Sequence, residues 1–177
     1  MMIFKNIRKF FNKRKHQQSY ACRLEDIDMS KNIATFYIKG SRVSLKIKIN
    51  NVIDDLFLIN NLYPIHASWI GFYYGQDMIK SNNTKESKRS MKLPQKNLNG
   101  NFKVMSYDVI KKHILYVDTK TNTTGRSNVI ALAQDEHTLT NFDSMHAFYI
   151  GMLAGIEITK HKDTEFVKAM RPKLRVV

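Results

Sequence analysis

HASWIGFYYGQD, His66–Asp77, returns as HAFYIGMLAGIE, His146–Glu157, with no gap between the two copies. The identical pairs are His66/His146, Ala67/Ala147, Ile70/Ile150, Gly71/Gly151 and Gly75/Gly155, while Trp69/Tyr149 and Asp77/Glu157 match in kind. In helical geometry Ala67, Gly71 and Gly75 share one stripe, as do Ala147, Gly151 and Gly155. Glycine inside a helix costs about 1 kcal/mol relative to alanine, so glycines at these positions call for a packing reason. A stripe without side-chain bulk lets another helix approach closely along its i±4 ridge. We therefore expect both segments to be helices that pack stripe against stripe about an approximate two-fold axis. Trp69, Phe72 and Tyr73 in one, and Phe148, Tyr149 and Met152 in the other, then face away from the contact.

Strand signals precede each copy. Val43, Leu45, Ile47 and Ile49 alternate with polar residues, and with Ile33–Ile38 they read as a hairpin turning at Gly40-Ser41. Asn50 or Asn51 can cap a helix with Asp54 and Asp55 in its first turn, stopping near Asn61 ahead of Pro64. Later in the chain, Phe102–Val109, His113–Thr119 and Ser127–Ala133 read as strands, the last two joined by a turn at Asn122–Arg126. Thr140 with Asp143 resembles a capping box that opens the second echo helix. Asp163 or Thr164 can start a short helix ending before Pro172. The expected fold is α+β: two ββα-like halves with a central apolar helix pair, preceded by an N-terminal amphipathic helix. The organisation reads as a basic amphipathic helix over residues 1–18, a first α+β half over 19–79, a basic linker over 80–101, and a second half with short helix and basic tail over 102–177.

Composition bounds the function. The chain has 177 residues, of which 43% are hydrophobic and 25% charged, the profile of a globular protein with enough length to bury a core. Cys22, the only cysteine, cannot form an internal disulfide. A reducing interior is therefore expected: the cytoplasm, including the cytoplasmic face of a membrane. No run of about eighteen apolar residues marks a membrane span. The net charge is +14, and it is unevenly placed. Residues 1–16 hold six Lys/Arg and no acid, residues 80–103 hold seven against Glu86, and residues 160–177 hold six against Asp163 and Glu165. A near-neutral body with cationic appendages suits an acidic partner.

The first appendage is patterned as well as charged. Ile3, Phe4, Ile7, Phe10 and Phe11 fall at helical spacing, with Arg8, Lys9, Lys13 and Arg14 largely elsewhere on the wheel. A helix with an aromatic face and a uniformly positive one suits an anionic membrane interface or a groove on an acidic protein. We therefore expect a non-catalytic binding or assembly protein, part of an oligomer or hetero-complex and docked through this helix. The alternative is a nucleic-acid-binding protein gripping phosphates with Lys85, Lys88, Arg89, Lys92 and Lys96 of the linker and Lys168, Arg171, Lys173 and Arg175 of the tail.

WIGFYYGQD and YIGMLAGIE also resemble the paired motifs of the LAGLIDADG homing endonucleases. In that family two glycine-bearing helices pack at a pseudo-dyad and deliver an acid from each end to a metal and to DNA. The resemblance implies Asp77 and Glu157 as metal-binding acids of a nuclease, one residue beyond the family's acidic position, which Gln76 and Ile156 occupy here. The family's DNA-reading strands follow each motif helix, whereas about twenty residues follow Glu157.

His66 and His146, at the starts of the echo segments, are placed to approach each other across the axis, where a shared metal or pH-sensitive contact is conceivable. Two histidines are too few to hold zinc alone, so hydrogen bonding within the fold is the expectation. No Walker loop, dinucleotide fingerprint, GxSxG elbow or HExxH is present, and no cofactor or metal is expected.

Overall fold

The computed structural model describes residues 21–28, 30–40, 43–81, 94 and 100–161. The helix expected over residues 1–18, most of the expected linker and the helix expected after Asp163 lie outside them. The described chain is a mixed α+β structure with two three-stranded antiparallel sheets. Sheet A is β1 (Cys22–Asp28), β2 (Ile33–Ile38) and β3 (Val43–Lys48), in that order. It is followed by α1 (Ile49–Val52), α2 (Leu56–Asn60) and α3 (Pro64–Lys80). Sheet B is β4 (Phe102–Asp108), β5 (His113–Asp118) and β6 (Thr124–Asn128), followed by α4 (Val129–Gln134), α5 (Glu136–Leu139) and α6 (Ser144–His161).

Each half is thus three strands and three helices, where a hairpin and two helices were expected in the first half and three strands and the echo helix in the second. The missed strand, β1, has the sequence CRLEDID, whose apolar residues do not alternate. A bulge between Leu24 and Asp26 explains this, because the extra residue shifts the phase and returns Ile27 to the inner face beside Leu24. The same bulge recurs between Val104 and Ser106 in β4. Ser127–Ala133, expected as a strand, divides instead: β6 ends at Asn128, whose side chain accepts from Ile130 N (2.9 Å) and Ala131 N (3.4 Å) to start α4. VIALA is apolar enough to pass for a buried strand, but the capping asparagine decides the matter.

Other caps move as well. Asn50 does not cap; its Oδ1 accepts from Asn32 Nδ2 at 3.0 Å. Asp55 caps α2 by accepting from Leu58 N at 3.0 Å, and Pro64, expected only as a stop, opens α3 at its first turn. Thr140 ends α5 and donates to His137 O, while Asp143 accepts from His146 N (2.8 Å) at the start of α6.

The correspondence between halves runs far beyond the twelve-residue echo, at a constant offset of eighty positions. Cys22 bridges Leu62 as Phe102 bridges Phe142. Cys22 N donates to Asn61 O (2.9 Å) as Phe102 N donates to Asn141 O (2.8 Å). Asn32 and Lys112 both stand at φ 55°. Asp55 and Asp135 cap equivalent short helices, Asp135 accepting from Thr138 N at 3.1 Å. Asp55→Ala should therefore lower stability by about 1 kcal/mol in urea unfolding, and Asp135→Ala by at least as much, since Asp135 Oδ2 also accepts from Thr138 Oγ1 (2.5 Å). No loss from either substitution would show that the halves do not share this cap.

One continuous core joins the halves. Leu24, Ala34, Phe36 and Ile38 from sheet A, Val104 and Ile114 from sheet B, and the buried sides of α3 and α6 all belong to it.

Candidate functional site

The long helices α3 and α6 touch backbone to backbone. A Cβ on Gly71 would overlap the Phe148 carbonyl oxygen and lie 2.9 Å from its carbon; on Gly75 it would meet the Met152 carbonyl in the same way, with its carbon at 3.0 Å. Gly151 stands so against the Ser68 carbonyl and Gly155 against that of Phe72. Ala67 and Ala147 continue the two stripes, fully buried. Both helices advance together along these contacts, so they are parallel and the pseudo-dyad runs along them. The smooth stripes are used up inside the molecule, and Phe72, Phe148 and Met152, expected to face away from the contact, instead supply carbonyls to it.

Parallel packing defines two ends. At the starting end, Ser144 Oγ donates to Leu62 O (2.5 Å), and β1 and β4 begin beside Asn61 and Asn141. At the far end, the turn after β4 reaches the last part of α6, where Lys112 Nζ lies 3.6 Å from Glu157 Oε2. The chain also continues from this end after both long helices, at Ser81 and at His161.

Glu157 is only 4% exposed and lies between Lys112 and, at 3.9 Å, Lys160. Burial, reinforced by the Glu157 carboxylate, pushes the Tyr107 phenol above its ordinary value. A left-handed lysine at Lys112 costs free energy that an asparagine there largely avoids. Asp77, the equivalent of Glu157, is half-buried at the corresponding place on α3. The acids implied by the homing-endonuclease resemblance thus differ in setting, with Glu157 committed to lysines. Gln76 and Ile156 are both buried, and the strands of each half precede its long helix.

The histidines do not meet across the axis as conceived from the sequence; each is engaged within its own half. His66 Nδ1 accepts from Leu24 N (3.2 Å) at the β1 bulge, and its ring packs on Tyr63 and Trp69. Burial first, and the Arg23 charge second, lower its pKa to about 4. His146 is fully buried with Nδ1 at 2.8 Å from Asp143 Oδ1. Among the described residues no group of three or more His, Cys, Asp or Glu is placed to hold a metal ion. Nor is any described helix long and apolar enough to cross a membrane.

The partner-binding set Ile3, Phe4, Ile7, Arg8, Lys9, Phe10, Phe11, Lys13 and Arg14 lies outside the described residues. So do Lys85, Lys88, Arg89, Lys92, Lys96, Lys168, Arg171, Lys173 and Arg175. What the described residues add is a charge balance: twelve Lys and Arg against twelve Asp and Glu, so the whole +14 resides in the remaining chain. Sequence reading missed Lys112 as a partner of Glu157. The available signal was a lysine at the position equivalent to Asn32, eighty residues on. No protein-family model, curated protein or solved structure matches the chain.

Proposed function

We propose that this is a non-catalytic basic binding or assembly protein that docks on an acidic membrane surface or partner protein through its basic amphipathic N-terminal segment. The observation that carries this reading is the separation of charge: an α+β body with equal numbers of cations and anions, and every excess cation in the chain around it. A charge held outside a balanced body contributes little to holding that body together and is available to attract a partner of opposite sign. The body supplies a stiff frame, because its two halves are locked by helices in backbone contact. Since the glycines of each long helix lie against the other's backbone inside the molecule, assembly into a larger complex uses other surfaces.

The membrane form of the reading is tested by flotation of the full chain with phosphatidylserine-containing vesicles at physiological salt. Substituting Phe4, Phe10 and Phe11 together by Ser should reduce the bound fraction at least tenfold, since each phenyl ring carries a large share of interfacial burial. Equal flotation of both proteins would exclude it. A steep fall of log affinity with log salt on DNA or RNA would instead favour phosphate gripping by the linker and tail.

A further inference from the structure

The turn between β4 and β5 carries Val109 and Ile110, which are 66% and 91% exposed. The first half supplies an internal control for this turn. There the equivalent segment is Asp28-Met29-Ser30-Lys31-Asn32, against Asp108-Val109-Ile110-Lys111-Lys112 here. The two turns are built alike: Asp28 Oδ1 accepts from Ser30 N (3.1 Å) and Lys31 N (3.2 Å), and Asp108 Oδ1 from Ile110 N and Lys111 N (3.0 Å each). Both close on a residue at φ 55°. A serine therefore makes this turn as well as an isoleucine does, and folding does not require an apolar tip.

Exposed cations stand at this end of the molecule. Lys111 is exposed beside the tip, and Lys80 and Lys160 are exposed at the ends of α3 and α6. The turn lies at the far end of the helix pair because Lys112 pairs with Glu157 there. From this same end the chain continues after Ser81 into residues 82–99, with five Lys/Arg against one acid, and after His161 into residues 162–177, with five against two. The carboxylate of Asp108 is meanwhile occupied by backbone N–H groups of its own turn.

We propose that this end is a second docking surface, at which Val109 and Ile110 insert into the interface of an anionic lipid membrane while the cations at the same end contact the headgroups. Two neighbouring apolar side chains on a convex tip bury little against a flat protein face, but they sink fully into a deformable interface. Cations at the same end gain from a negative surface potential. The proposal rests on the reading that the target is an acidic membrane, and it uses no residue of the N-terminal segment.

The test uses the full chain with Ile110→Cys carrying a nitroxide. Cys22 is 2% exposed and burial pushes its thiol up to about 12, so the label goes to position 110. With phosphatidylcholine vesicles containing phosphatidylserine, collisions of the label with oxygen should rise and those with a water-soluble nickel chelate should fall. With phosphatidylcholine alone neither should change. Val109→Met together with Ile110→Ser, which copies the first half's turn at these two positions, should keep or raise the urea midpoint and lower vesicle affinity about tenfold. A label that stays open to the nickel chelate on protein shown by flotation to be bound would overturn the tip contact and leave N-terminal docking intact. Unchanged affinity of the double variant would do the same. Failure of the full chain to bind phosphatidylserine vesicles would overturn both, leaving an acidic protein as the target.

Discussion

Gly71→Ala and Gly151→Ala should each lower the unfolding free energy by about 3 kcal/mol or more, against the roughly 1 kcal/mol that alanine would add in an isolated helix. The reason is the identity of the obstacle. The new methyl group would collide with the Phe148 carbonyl in one case and the Ser68 carbonyl in the other. A side chain could rotate aside, but a helical carbonyl moves only with its helix. The helices must then separate, and separation loosens Ile70, Phe72, Ile150 and Met152, all essentially inaccessible to solvent. One separation relieves both collisions, so the double variant should cost clearly less than the sum of the singles. Urea unfolding of the three proteins provides the measurement. A gain in stability from either single substitution would refute backbone contact between the helices.

That contact could be read from the chain because a glycine stripe has few uses other than close approach, and because the stripe is written twice. The rest of the repeat was harder to see, since eighty positions apart most residues differ while the backbone roles persist. Cys22 and Phe102 make the same bridge, Asn32 and Lys112 the same left-handed turn, and Leu58 N and Thr138 N the same cap contact, with different side chains each time. Where sequence reading failed, a local signal was overridden. The bulge at Glu25 breaks the alternation that would have announced β1, and Asn128 converts an apolar run from strand to helix. Val109 reads as the end of a strand, and only the structure shows it in an exposed turn with Ile110. The charge separation was legible throughout, since it depends on order along the chain alone. The Lys112–Glu157 pair was not, because a contact between a turn and a helix forty-five residues later has no periodicity to betray it.

Lowering the pH from 6.5 to 4 should cost about 3 kcal/mol of stability through His66 alone. In the fold its pKa is about 4, depressed by burial and then by Arg23, against the ordinary value of 6.5. Above pH 6.5 the imidazole is neutral in both folded and unfolded chains and makes no difference to the balance. Between 6.5 and 4 the unfolded chain takes up a proton that the folded one refuses, so stability falls as the pH falls, and below 4 this contribution is flat. The geometry gives the refusal a cause: Nδ1 accepts from Leu24 N at 3.2 Å, and a protonated ring has only donors to offer there. His66→Gln keeps an acceptor within reach of the bulge but cannot titrate. It should fold and show a nearly flat stability profile over this window, as measured by urea midpoints at half-unit steps of pH. Asp28 is held down to about 2 chiefly by hydrogen bonds from the Ser30 and Lys31 side chains, so its own contribution is lost only as the pH falls through a lower range and does not confuse the reading. If the wild-type profile stayed level from pH 6.5 to 4, His66 would have to be accessible to protons in the folded state, and its bond to the β1 bulge would be dispensable.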